Sequence, residues 1–330
     1  MRKIRWGVLS TARIGLQKVI PAMQQAEHCE IIAIASRHLA AAQKAAAPLG
    51  IPKVYGSYEE LLNDPDVEAI YNPLPNHLHV PWSIKAIAAG KHVLCEKPIA
   101  TSVSELQQLL DVANAHPQIK VMEAFMYRQH PQWLQARELA QSSKIGEVRT
   151  LHSFFSFFNN DPKNVRNHPD MGGGALFDVG CYAVSMPRFI FGAEPQRVFA
   201  RMDVDPVFNV DRLTSGILDF GLRTSDFTCS TQLARHQNVT IFGTDGKIEI
   251  ELPLNPLPDR TAEIVLHNGN GAQEILSDIC NQFTLQGDAF SLAIINDAPP
   301  LVSLEDSLAN MQVIAALFES ARTGTWSPVG

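Results

Sequence analysis

Residues 4–15 read IRWGVLSTARIG: an apolar run, a turn of small residues, then the start of an amphipathic stretch. A buried strand that passes through a tight turn straight into a helix is how a Rossmann domain begins. There the pyrophosphate of a dinucleotide rests on backbone N–H groups at the helix start. The usual glycine pattern of that turn has three fixed positions. Here they hold Ser10, Ala12 and Gly15, so two glycines are replaced by small residues. Ser10, Thr11, Ala12, Arg13 and Ile14 are the candidate phosphate contacts. The same stretch also reads as an ordinary strand-to-helix turn, and the rest of the chain has to decide between the two.

Outward from this turn, the first third alternates apolar runs with helical patterns. IRWGVL, EIIAIAS, VEAIYNP, HVLCE and IKVMEA read as strands, with RIGLQKVIPAMQQA, LAAAQKAAAPLG, HLHVPWSIKAIAAG and SVSELQQLLDVANAH between them. Parallel strands need crossover helices, so the pattern predicts a doubly wound parallel sheet. Gly50 and Gly90 stand where helices should end, and Ser57 or Thr101 where they should begin. The second strand ends in Ser36-Arg37-His38, with no acid. A carboxylate there would favour the ribose hydroxyl of NAD. An arginine and a serine suit the 2′-phosphate of NADP, with Arg13 as a second cation; Arg37 also reads as a plain surface charge.

After residue 123 the texture changes. VRTLHSFFSFF, RVFARMDV, DRLTSGILDF, DFTCSTQL, NVTIFG and KIEIEL follow one another with short turns, several alternating polar and apolar. This predicts an α+β domain, residues 124–330, with a large, mainly antiparallel open sheet. A helix interrupts it near GALFDVGCYAVSMPRFIFG. The closing helix SLEDSLANMQVIAALFESARTG is expected to pack back on the first domain, residues 1–123.

Composition sets the class. The chain has 330 residues, 18% charged and 45% apolar, with a net charge of −7. Nothing in it favours nucleic acid or an anionic membrane. Five scattered cysteines without a Cys-x-x-Cys pair suit a reducing compartment, and the cytoplasm is expected. His77 and His79 lie close together, but no further ligand is spaced beside them, so no metal is predicted.

Two more segments carry chemistry. NPLPNHLH (72–79) leaves the fourth strand, where Pro73 and Pro75 fix a turn and Asn76 can cap the next helix. VLCEKPIAT (93–101) leaves the fifth, and in a doubly wound sheet both turns border one crevice. Pro73, Leu74, Asn76, His77, Glu96 and Lys97 therefore join Ser36, Arg37 and His38 as cofactor candidates. In GGGALFDVGCYAVSMPRF (172–189) three glycines precede a helix with Asp178 and Tyr182 at i and i+4.

Taken together, the turn at 7–15, CEKP at 95–98, MEAFMYRQHPQ at 122–132 and GGGALFDVGCY at 172–182 resemble the glucose–fructose oxidoreductase / inositol dehydrogenase (Gfo/Idh/MocA) family. Tyr182, where many relatives have His, is similar to the branch with NADP-dependent aldose dehydrogenases and dihydrodiol dehydrogenase. The resemblance implies that Lys97 is the catalytic or substrate-orienting lysine and that Glu96 bonds the nicotinamide ribose. It further implies a Lys97–Pro98 bond that is often cis, and places Asp178 and Tyr182 at the reacting carbon.

On this reading the protein moves a hydride between NADP and a sugar or polyol, most closely as an aldose (D-xylose-type) 1-dehydrogenase. Tyr182, with Lys97 beside it, is the first candidate to transfer the proton; either of the two can be the formal base, and Asp178 orients Lys97 or a substrate hydroxyl. An isolated tyrosine or lysine titrates near about pH 10, so the two must perturb each other. Arg128, Phe155 and Arg166, with Asp178 and Tyr182, are the substrate candidates, the ring offering a face to sugar C–H groups. The other face of the second sheet is expected to join copies into a homodimer or homotetramer. A trans-dihydrodiol dehydrogenase, a dicarbonyl-sugar reductase and a non-catalytic NADP sensor are the competing readings.

Overall fold

β1 (Ile4–Leu9) is buried almost end to end, as a strand must be when layers cover both faces of its sheet. In the computed structural model, which describes residues 1–330, β1 lies inside a six-stranded parallel sheet. The chain leaves it through a π-helical turn (Gly15–Val19) into α1 (Ile20–Met23). It continues through β2 (Cys29–Ala35), α2 (Leu39–Ala46), β3 (Lys53–Tyr55), α3 (Tyr58–Leu62), β4 (Ala69–Asn72), α4 (His79–Ala88), β5 (His92–Cys95), α5 (Val103–Asn114) and β6 (Val121–Glu123). The order β3-β2-β1-β4-β5-β6 reverses its direction of growth between β1 and β4. In such a sheet the crevice outside those two strand ends is the ligand position.

Local chemistry explains the ends of these elements. Gly50 takes the left-handed conformation, φ 64°, that stops the helical run after α2. Ser57 accepts the Glu60 N–H and so caps α3. At α5 the cap is Ser102, which accepts the Glu105 N–H at 3.2 Å. Thr101, the residue expected there, lies one position early and bonds the Glu105 carboxylate instead. Pro75, not Asn76, takes the N-cap position of the short turn that precedes α4. The π-turn before α1 has a cause in Pro21: it has no N–H to return to Gln17, so a regular α ladder cannot run through it.

The second unit holds α6 (Pro131–Gln141), β7 (Val148–Phe158), a π-helical turn (Leu176–Gly180) continuing into α7 (Cys181–Phe191), then β8 (Arg197–Val204), β9 (Asp211–Asp219), β10 (Thr224–Ser230), β11 (Gln232–Gly243), β12 (Gly246–Ile250), β13 (Glu263–Asn268) and β14 (Gly271–Leu276). After β14 the chain returns through α8 (Gln282–Ile295) to the first unit. It ends in α9 (Leu304–Thr323) and β15 (Ser327–Pro328). The nine strands run β14-β13-β12-β11-β7-β10-β9-β8-β15. β7 and β10 pair in parallel and the other neighbours are antiparallel, so the sheet is mixed.

One face of this sheet is covered by α7 and α9. Ser320 accepts the Ala200 N–H at 3.0 Å, and Phe318 meets Phe177 at 5.2 Å. Gly180 lets the helix approach β10, since a Cβ there would stand 3.0 Å from the Cys229 sulfur. Leu151, Ser153, Phe155 and Phe157 of β7 share the parity of the covered face. On the opposite parity His152 pairs with Asp226 at 2.8 Å and both stay half exposed. No helix is long and apolar enough to cross a membrane.

The units are residues 1–126 with 281–308, and 127–280 with 309–330. The expected boundary at 123 lies three residues early. The segment that returns to the first unit, residues 281–308, holds α8 and the first turn of α9. Its docking rests on buried aromatic and polar contacts: Trp6 meets Phe290 at 5.8 Å and donates its indole N–H to Ser291 at 3.3 Å. Asp288 accepts the N–H groups of Glu27 and His28. Ser291→Ala leaves the buried indole N–H without this acceptor, and the expected loss is about 1–3 kcal/mol of unfolding free energy in urea. A change under about 0.5 kcal/mol would contradict the role given to this bond.

Candidate functional site

The first unit brings four strand ends to one edge. Ser10 follows β1 with φ 78°, a left-handed value that a glycine usually supplies. Its N–H reaches Ala35 O at 2.9 Å and its hydroxyl accepts the Ala12 N–H at 3.3 Å. The serine hydroxyl thus fixes locally the turn that the missing glycines would have allowed. As at any helix start, the N–H groups of the first turn, here Arg13 and Ile14, have no acceptor within the helix. Thr11 lies between Ser10 and this turn. Ser36 is buried at the end of β2 and accepts the His38 N–H at 3.4 Å, while Arg13, Arg37 and His38 are exposed.

The ends of β4 and β5 are tied together. Tyr71 donates its phenol to Glu96 at 2.7 Å, and the Glu96 N–H reaches Asn72 O. Asn72, fully buried, donates to His79 O and Ser83 and accepts the Leu74 N–H. The His79 ring stands between two carbonyls, Leu74 O and Pro98 O, each 2.7 Å from a ring nitrogen, and the neutral ring donates its single N–H to one of them. From β6, the buried Glu123 accepts the Ile99 N–H at 3.0 Å. The Lys97–Pro98 bond is cis. The Glu96–Lys97 step is therefore held from three sides: by Tyr71 and Asn72, by His79, and by Glu123.

Burial pushes the His79 imidazole down to about 4, against the pull of its two carbonyls. The metal-like spacing of His77 and His79 is resolved into two different places, since His79 is a buried brace. His77 keeps a buried Nδ1 with no partner in the chain. That orphan, the Ser10 turn and the exposed guanidinium groups at the ends of β1 and β2 fit a dinucleotide laid across this edge. Pro73 and Leu74 lie between the braces, and Asn76 begins the turn that follows them.

In the second unit the loop before α7 folds back on itself. The Gly174 N–H reaches Arg166 O at 2.9 Å, and a Cβ at Gly173 would run into that same carbonyl. The loop delivers the Arg166 guanidinium to Asp178, Nε to Oδ2 at 2.6 Å, with side-chain exposures of 38% and 12%. Arg166 also lies over the Phe157 ring, 5.9 Å from its centroid, and Phe155 stands next to Phe157 at 6.5 Å. Arg166, Asp178 and the two rings thus form one cluster. Asp178 lies on a π-helical turn instead of the regular helix expected, and Tyr182 one turn later in α7.

Tyr182 is buried, its ring 6.1 Å from Tyr127, which also meets Trp133 and Phe189. The Tyr127 hydroxyl and the Arg128 guanidinium both bond Ser185 on α7, each at 2.8 Å. Arg128 is buried and lies over Phe189. The structure places it against Ser185 and Phe189 of α7. Reading the sequence singled out neither Tyr71, Asn72, Glu123 nor Tyr127 as a brace. The available signal was a polar group inside an otherwise apolar strand, as in AIYN and VME.

Comparison with known proteins agrees with this layout. Residues 4–125 match the family described as "Oxidoreductase family, NAD-binding Rossmann fold", and residues 133–249 match the Gfo/Idh/MocA C-terminal domain. The chain is 47% identical to an uncharacterised oxidoreductase of Rhizobium meliloti over the whole of both proteins. It is 40% identical to D-xylose 1-dehydrogenase (NADP(+)) 2 of Haloferax volcanii, over 97% of this chain and 98% of that one. Among solved structures, a 3-ketoreductase from Actinomadura kijaniata in complex with NADP and TDP-benzene superposes with a TM-score of 0.91. That match has 29% identity and covers 98% of each chain.

Burial also pushes His92 and His130 down to about 4. Each of the three imidazoles binds its proton near the ordinary 6.5 in the unfolded chain, and only near 4 in the native one. Stability is therefore complete above 6.5 and is lost as pH falls toward 4. The buried Asp211 carboxyl, raised to about 6, runs the other way, and the three histidines outweigh it. Urea midpoints should fall steadily from pH 7 to pH 5; a midpoint that rises on acidification would contradict this balance.

Proposed function

The chain belongs to the Gfo/Idh/MocA oxidoreductase family, and from that premise we propose that it moves a hydride between NADP and a sugar or polyol, acting as an aldose 1-dehydrogenase of the D-xylose type. The observation that carries the cofactor choice is the basic, acid-free end of β2. Ser36, Arg37 and His38 stand there where an NAD-selective site would hold a carboxylate. Arg37 grips the 2′-phosphate, Arg13 adds charge, and Ser10 through Ile14 cradle the pyrophosphate at the helix start. Glu96, oriented by Tyr71, accepts from the nicotinamide ribose. When bound, the nicotinamide supplies hydride chemistry at its C4.

The chain's own work is position and proton movement. In oxidation the substrate hydroxyl gives its proton to the phenolate oxygen of Tyr182, which becomes the neutral phenol, and the Lys97 ammonium stabilises both the phenolate and the substrate oxygen as it becomes negative. Asp178, held by Arg166, accepts from a substrate hydroxyl and fixes which carbon faces the hydride acceptor. Phe155 and Phe157 offer ring faces to sugar C–H groups. The similarity to a chain named as an NADP(+)-dependent xylose dehydrogenase supports the direction and the substrate class.

Mixing the protein with NADP+ and a panel of pentoses, hexoses and polyols should raise absorbance at 340 nm with at least one aldose. Arg37→Ala should weaken NADP binding on the order of 10- to 100-fold, since a charge-assisted contact is lost, and leave NAD binding unchanged. No turnover on any sugar with either cofactor, or an equal loss for both cofactors, would overturn the proposal.

A further inference from the structure

Asp211 opens β9, far in sequence from the glycine-rich loop, yet its carboxylate sits against the start of the helix that carries Asp178 and Tyr182. It is 5% exposed. Its Oδ2 accepts the Leu176 N–H at 2.8 Å and the Thr214 hydroxyl at 2.7 Å. The first N–H groups of a helix have no partner inside it and are normally met by the side chain of the capping residue. Here the residues at the helix start are Gly174 and Ala175, and no side-chain cap comes from the helix's own N-terminus. The acceptor comes from another strand.

The glycine-rich loop is shaped to admit it. Gly174 has φ 110°, and a Cβ there would run into the Asp211 carboxylate. A negative group at a helix N-terminus is favoured by the helix dipole. Stability alone does not explain the choice of residue. Burial raises the Asp211 carboxyl to about 6, although the Thr214 hydroxyl and the backbone N–H groups of Leu176 and Ala175 favour its charged form. A carboxyl raised in this way gives stability below its ordinary 3.8, and that stability is lost as pH rises through about 6. At neutral pH the charge is carried at a cost. The titratable groups facing it are the Cys229 thiol on β10 and, around that thiol, Cys181 and Asp178 of the helix.

We propose that Asp211 is a positioning residue of the active site: by capping the helix start through Leu176, it fixes where Asp178 and Tyr182 stand, without touching substrate. The assignment rests on the oxidoreductase reading given above. Asp211→Asn keeps the shape and removes the charge. It should melt at or above the wild-type temperature at pH 8 and keep its NADP affinity and substrate KM. Its kcat should fall at least about tenfold, the scale of a small misplacement of reacting groups. Amide exchange at Ala175 and Leu176 should speed up about tenfold as the cap loosens. Thr214→Val retains the carboxylate and withdraws one of its donors, so it serves if the Asn variant fails to fold; its kcat should fall about threefold.

Wild-type kcat and unchanged exchange in a folded Asp211→Asn, or in Thr214→Val, would overturn the inference, as would parallel loss of melting temperature and kcat. The exchange arm needs no substrate. A wild-type protein without NADP-linked turnover therefore sinks the functional proposal, while the exchange data still decide whether Asp211 holds the helix.

Discussion

The buried imidazole of His79, spanning Leu74 O and Pro98 O at 2.7 Å each, is the brace on which the first half of the site depends. Two loops that leave different strands have no reason of their own to keep a fixed spacing. One buried ring packed between both carbonyls, and donating its N–H to one of them, restricts that freedom. Asn72 secures the backbone of the same ring, Glu123 takes the N–H just past the proline, and Tyr71 orients Glu96. Each of these polar groups is buried or half-buried, where an unmet partner costs most. The network therefore holds the Glu96–Lys97 step, to which the proposed function assigns the reactive lysine, between buried partners.

The second unit uses the same logic with other parts. A helix that must hold Asp178 and Tyr182 is clamped on its flank by Tyr127 and Arg128 through Ser185, and from its far end by Arg188 to Asn310 of α9. Arg166 brings a cation to Asp178 by a loop whose glycines are required by close backbone approach. Both π-helical turns of the chain lie at these places, one beside the Ser10 turn and the other under Asp178. Such turns widen the backbone locally and recur at functional sites.

Much of this could be read from the sequence. The run at 4–15 announced a strand, a tight turn and a helix, and the alternation behind it announced a parallel sheet. The strands VRTLHSFFSFF and RVFARMDV have the bounds their patterns suggest. What escaped has physical causes. β3 is three residues long, too short for periodicity. β13 and β14 form a hairpin with a polar, exposed second strand, so apolar alternation is weak there. α8 buries polar Gln282, Gln286 and Ser291 and leaves Leu292 exposed, so its amphipathic stripe is blurred. The parallel β7–β10 pair depends on long-range topology that no local pattern encodes. Arg128 read as a substrate contact, and its partner Ser185 on α7 lies far along the chain, where no local pattern links the two.

In the proposed function Lys97 is the charged group at the reacting oxygen and not a contact for the cofactor. Lys97→Met keeps the length and removes the charge, and single-turnover rates with NADP+ and an accepted aldose, read beside NADP binding by fluorescence, separate the two roles. Turnover should drop about 100-fold or more, with the NADP dissociation constant within about twofold of wild type. Near-normal turnover, or a loss of NADP affinity that matches the loss of rate, would contradict it.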